Sequence, residues 1–184
     1  MNSTSLVRLG SHIRCLVASL VMLLTAPCWA CNIVYGKDWA LLSQNPEGWS
    51  SACHTQAMPG TILTLWPTDQ GPRTTDALIY VTVSAKGSHE LSEFVADAQA
   101  RFVASAKTTT LRKLDAPPTP QNLQLELVAI SGAPPGSREE MVAYFSGPTA
   151  FYIAVLTAES ASVLTKHKAA FLQFLNGLNP IERK

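Results

Sequence analysis

The stretch "REEMVAYFSGPTAFYIAVLTA", residues 138–158, decides the fold. Two β-branched and aromatic runs flank "SGPT". Gly147 and Pro148 are residue types that turn a chain back on itself, so the segment reads as the two strands of a hairpin. Side chains alternate across a strand, which puts Tyr144 and Phe145 on opposite faces, and likewise Phe151 and Tyr152. One of each pair then belongs to the core. The other is either covered by a second helix or left exposed as a groove for a protein partner or a small apolar ligand.

Upstream of the hairpin, "LQLELVAISG" at 123–132 alternates as a strand should, between the breaks "APPTPQ" and "APPGS". "TTTLRKLD" from 108 adds a short alternating segment. "ALIYVTVSAKG" at 77–87 sets Leu78, Tyr80, Thr82 and Ser84 on one face and Ile79, Val81 and Val83 on the other. Both faces are largely apolar, which predicts a central strand covered on two sides. "TILTLWP" at 61–67 reads as a strand stopped by proline.

Ser88 can cap a helix over 89–106. There Leu91, Phe94, Val95, Ala98, Phe102 and Val103 recur at helical spacing, opposite Glu90, Glu93, Asp97 and Arg101. A second helix, about 160–176, buries Val163, Leu164, Ala170, Phe171, Phe174 and Leu175, with Gly177 at its C-terminal cap and Pro180 just past it. Residues 31–60 are loop-rich, with Trp39, Pro46, Gly48 and Trp49 indicating a strand or two. Two amphipathic helices and about six strands, mostly joined by hairpins, predict an α+β domain: a central antiparallel sheet with flanking helices.

The front of the chain is built differently. Residues 1–14 carry Arg8, His12 and Arg14 and no acid, residues 15–26 ("CLVASLVMLLTA") carry no charge, and Pro27 breaks any helix before the small residue Ala30. That order reads as a secretory signal peptide over residues 1–30. A dozen apolar residues are short for a span, which needs roughly 20. Cleavage after Ala30 leaves one domain, 31–184. Removing Arg8 and Arg14 from 14 basic residues leaves 12 against 13 acids, a net charge of −1. Nothing in that balance draws the domain to nucleic acid or an anionic membrane.

Cys31 has two fates after export. It can pair with Cys53, the other cysteine of the mature chain; closing that loop stabilises by roughly 3 kcal/mol on the chain-entropy model, and an oxidising compartment preserves the bond. Alternatively it can carry a lipid anchor, although Cys28 and Trp29 fit a lipoprotein signal poorly and Cys53 would be left odd.

Catalytic signatures are few. There is no GxxxxGK[ST], no GxGxxG after a strand and no GxSxG. His54, His89 and His167 fall on a loop, a helix start and a helix face, and read as solvated or capping histidines, with no metal site among them. "CHT" at 53–55 sets a thiol beside an imidazole, but neighbours in sequence usually point apart. Glu139 and Glu140, on a strand, project to opposite faces and read as a solvated strand start. "TLRKLD" at 110–115 is too short and too acid-flanked for a nucleic-acid patch. Trp39, Trp49, Trp66, Tyr80, Tyr144, Phe145, Phe151 and Tyr152 supply the aromatic material from which a binding groove could be made.

"NPEGW" at 45–49, "LWPTDQGPRTTDALIYVTVSAKGSHELSEFVADAQARF" at 65–102 and "REEMVAYFSGPTAFYIAVLTAESASVLTKHKAAFLQFLNGL" at 138–178 follow an order that resembles the PsbP-like superfamily (the PsbP and DcrB-like α/β/α sandwich), in particular its exported bacterial members. The resemblance covers most of residues 33–180, with Pro46, Gly48 and Trp49 as its motif-like positions. It implies a central antiparallel sheet flanked by helices and a habit of binding proteins without catalysis. It transfers no catalytic, cofactor or metal residues.

The expectation is therefore an exported, non-enzymatic bacterial envelope protein, periplasmic or secreted, that binds a protein partner or a small apolar ligand and needs no cofactor. Its alternatives are a thiol-dependent hydrolase using Cys53, and a factor lipid-anchored to the envelope through Cys31, the one route by which it would meet a membrane.

Overall fold

The structure, a computed structural model, describes residues 31–54, 60–105, 109–119, 122–132 and 138–182. The leader read over residues 1–30 lies outside them. In chain order the elements are β1 (Ile33–Tyr35), β2 (Trp39–Leu42), β3 (Trp49–Cys53), β4 (Thr61–Pro67), β5 (Ala77–Ala85), α1 (Leu91–Ser105), β6 (Thr110–Leu114), β7 (Leu125–Ser131), β8 (Glu139–Ser146), β9 (Ala150–Ala158), α2 (Ala161–Asn176) and β10 (Asn179–Glu182).

Seven strands form one antiparallel sheet in the order β3-β4-β5-β9-β8-β7-β6, and a second sheet runs β1-β2-β10. The β8–β9 hairpin lies inside the large sheet and is closed by the Gly147 N–H donating to the Ala150 carbonyl at 2.8 Å. Phe145 pairs with Tyr152 across it, and β9 continues onto β5 over its whole length. The central position expected for β5 is thus found, between β4 and β9.

Each face of the large sheet carries a helix. On one side Phe171, Phe174 and Leu175 of α2 are fully buried with Phe145, Tyr152, Leu63, Ile79 and Leu156. On the other, Leu91 and Val95 of α1 pack with Val128, Val142, Tyr144, Phe151 and Val155. The ring of Phe94 stacks on Phe151 at 4.6 Å. All four hairpin aromatics are therefore buried, and the expectation that one of each pair could be exposed is corrected: two helices cover two faces.

Other expectations change in detail. About six strands become ten, because the segments 31–53 and 179–182 form short strands that lack a long alternating run. Pro180 lies past the end of α2 as expected, and it also sits inside β10, an edge strand where a missing N–H is tolerated. Val103 is exposed, at 47%. The cap of α1 comes from Glu93, whose carboxylate accepts from the Glu90 N–H at 3.3 Å, where Ser88 had been expected. α2 is capped by Ser160, whose hydroxyl accepts from the Val163 N–H at 3.3 Å. Gly177 does cap its C-terminus, but at φ −89°, so its use is closeness: a Cβ there would lie 3.0 Å from that of Gln44.

Candidate functional site

Cys31 and Cys53 are joined by a disulfide with Cα atoms 5.8 Å apart, within the range such bonds require. The Cys31 N–H donates to the Ser51 hydroxyl at 3.0 Å and its carbonyl accepts from Ser43 at 3.3 Å, so the bridge staples the start of the domain to β3, the edge of the large sheet. A sulfur so bonded is neither a nucleophile nor a lipid thioether. The hydrolase reading loses its Cys53 thiol and the lipoprotein reading its Cys31 thiol in this oxidised form.

The three histidines do not converge. His54 is exposed, and His89 is exposed beside Glu93 at 3.6 Å. His167 departs from expectation: it is buried, edge-on to Trp49 at 5.3 Å, with Nε2 3.6 Å from Asp76 Oδ1. Its helical neighbours Phe171 and Phe174 draw that face of α2 inward, which a scan for solvated positions misses. Burial lowers the His167 pKa, while the Asp76 carboxylate opposes the shift. The backbone carbonyl of Asp76 is held by the Arg138 guanidinium at 2.9 Å.

Glu140 likewise is not a solvated strand start. It lies on the face of β8 shared by Tyr144, and burial raises its pKa against the opposing pull of a Thr157 hydrogen bond. The phenols of Tyr80 and Tyr144 are both pushed up by burial and by the nearby Glu140. Glu139 and Glu140 point to opposite faces, as alternation requires. Among the described residues no group of three or more His, Cys, Asp or Glu could hold a metal ion.

The feature best suited to recognition is a cleft of about 540 Å³ where the small sheet meets the hairpin end of the large one. The turn between β1 and β2 supplies Lys37 and Asp38, the start of β2 supplies Trp39, β5 supplies residues 83–85, the hairpin supplies Thr149 and Ala150, and β10 supplies Glu182. The turn is closed by the Gly36 N–H donating to the Trp39 carbonyl at 2.9 Å. It is tied to the hairpin by the Thr149 hydroxyl, which donates to the Asp38 carbonyl at 2.8 Å.

Trp39 is half-buried, edge-on to Tyr152 at 5.9 Å, and a Cβ at Gly36 would collide with its indole. Burial pushes the Tyr152 phenol up to about 12, so it remains a donor, to the Ala40 carbonyl at 3.4 Å. The opposite face of the small sheet carries Ile33, Tyr35 and Ile181, exposed at 55%, 61% and 40%.

Of the aromatics singled out from sequence, Trp39 alone lines this cleft. Lys37, Asp38, Thr149 and Glu182 were missed. The signal that could have found the first two is "IVYGKDWALL", a glycine-started turn between two short apolar runs.

A second concavity, about 420 Å³, runs between α1 and the β6–β7 edge, lined by Val95, Ala96 and Gln99 of the helix and by Leu111, Lys113 and Val128 of the strands. Among the described residues no helix is long and apolar enough to cross a membrane.

No family model matches the chain, and no curated protein matches it. In fold the chain is similar to cyanobacterial PsbP (CyanoP) from Synechocystis sp. PCC 6803, whose solution structure it matches with a TM-score of 0.49 and 14% identity over 83% of this chain and 98% of that one.

Proposed function

We propose that this chain is an exported, non-catalytic binding protein that works in an oxidising compartment outside the cytoplasm and holds a protein partner in the cleft around Trp39. The observation that carries the reading is Trp39 itself, a large half-buried aromatic in a cleft also lined by the exposed charged residues Lys37, Asp38 and Glu182. Aromatic anchors inside a polar rim are the arrangement from which protein interfaces draw most of their binding energy. Export is supported by the Cys31–Cys53 bridge, a bond that reducing compartments do not keep, and by the leader-like residues 1–30.

A small apolar ligand suits the cleft less well, because three charged residues border it. The test is affinity capture from envelope extract with the purified protein and with Trp39→Ala. A partner retained by the first and lost by the second, with melting temperature unchanged, supports the reading. Equal capture by both removes Trp39 from the interface.

A further inference from the structure

The large sheet ends, among the described residues, at β6, and three features of that edge point to one kind of visitor. First, Thr110, Arg112 and Lys113 are exposed, and β6 pairs with β7 on one side alone. Every second residue of a strand so placed turns its backbone N–H and C=O away from the sheet, which is the template for adding another strand. Second, the concavity under α1 lies directly beside this edge and shares Leu111 and Lys113 with it. Third, the edge is basic and symmetric in type: Leu111-Arg112-Lys113-Leu114 reads apolar, cationic, cationic, apolar in either direction.

The alternation assigns faces. Leu111 packs with the α1 cluster and Leu114 with the α2 cluster, so Lys113 faces the concavity and Arg112 the opposite side. Lys113 has Glu126 at 3.1 Å, while Arg112 has no ion pair among the described residues.

We infer that β6 accepts, by strand addition, an extended segment of a partner protein that carries two adjacent acidic residues flanked by apolar ones. Opposite residues of paired strands share a face. One apolar side chain therefore extends the concavity floor beside Leu111 and the other lies beside Leu114. One carboxylate meets the unpaired Arg112, and the second joins Glu126 on Lys113, whose ammonium has three donors. Because the edge has the same residue-type order in both directions, parallel and antiparallel addition satisfy the same four contacts. This surface is separate from the Trp39 cleft, and either can stand without the other.

The test uses the isotope-labelled purified protein, titrated with the capped hexapeptide TVEEVT while amide resonances are followed. Expected are shifts confined to β6, β7 and the groove face of α1, weakening as salt is raised. The peptide TVKKVT should not bind, and of two TVEEVT analogues, each methylated on one alternate set of backbone nitrogens, at least one should lose binding, because every second N–H of an added strand faces the edge. Arg112→Glu, an exposed change that leaves the core untouched, should weaken TVEEVT about tenfold or more and favour TVKKVT. Absence of binding at millimolar peptide, shifts centred elsewhere, equal affinity for the two peptides, or indifference to N-methylation would each overturn the assignment. The methylated peptides keep the test decisive even if the variant fails to fold.

Discussion

Trp49 meets His167 edge-on, ring centroids 5.3 Å apart at 87°, and the same imidazole faces Asp76 across 3.6 Å. An edge strand, a helix and the turn before the central strand thus converge on a single titratable ring, which makes the packing of α2 sensitive to protons. The groups facing it are Asp76 and Asp69 from the β4–β5 connection, Lys166 from its own helix and the indole of Trp49.

Burial sets the sign of that sensitivity. The folded state holds His167 below its ordinary value of 6.5, so near and below that value the unfolded chain binds the proton more readily. Stability contributed by the neutral ring is fully present above about pH 6.5 and is lost as pH falls through the lowered folded value. Thermal unfolding followed by tryptophan emission should show a melting temperature that drops on acidification from pH 7 to 5. His167→Gln should flatten that slope; an unchanged slope would mean other groups set it.

The two helices should respond unequally to truncation. Phe171 is fully buried, and Phe171→Ala is expected to cost about 3 to 5 kcal/mol. Phe94 is only partly buried, so Phe94→Ala should cost less, about 2 kcal/mol with the loss of its stack on Phe151 included. Denaturant unfolding of both variants checks the order. The reverse ranking would mean that α1 is the principal cover of the sheet.

Reduction of the Cys31–Cys53 bridge should lower stability by roughly 3 kcal/mol on the chain-entropy model, a drop of about 10 °C in Tm for a domain of this size. Calorimetry with and without a phosphine reductant measures it directly. Thiol titration of the protein isolated from its own cells should find Cys31 and Cys53 unreactive before reduction.

Gly36→Ala should disturb the cleft specifically. The new Cβ would occupy space held by the Trp39 indole, so the ring must move or the turn must open, at a cost of about 1 to 3 kcal/mol. A red shift in emission that is absent in Trp39→Phe locates the effect at that ring.

The large elements were legible in the sequence wherever a period ran long enough. β5, β7 and the β8–β9 hairpin stand where alternation put them, β4 where a β-branched apolar run stopped by proline put it, and Phe171, Phe174 and Leu175 are the inward stripe of α2. The small sheet was not legible, because three- and four-residue strands carry no measurable period, and Pro180 argues locally against the strand that contains it. The burial of His167 and Glu140 was also hidden. Each depends on residues distant in the chain, Trp49 and Asp76 for one, Tyr80 and Thr157 for the other. The cleft escaped notice for the same reason, since its walls come from four separated segments.

The small sheet has a further consequence for the order in which the protein takes shape. Its middle strand, β2, is flanked by β1 from the front of the domain and by β10, which follows the last helix. A chain made front end first can complete the β8–β9 hairpin core before it closes this clasp. Until residues 179–182 arrive, Leu41 lacks its Pro180 neighbour, and Glu182 is missing from the cleft that Trp39 lines. Among the described residues the cleft is therefore finished last, so a chain stalled or clipped short of β10 would keep its large sheet and lack one wall of the cleft.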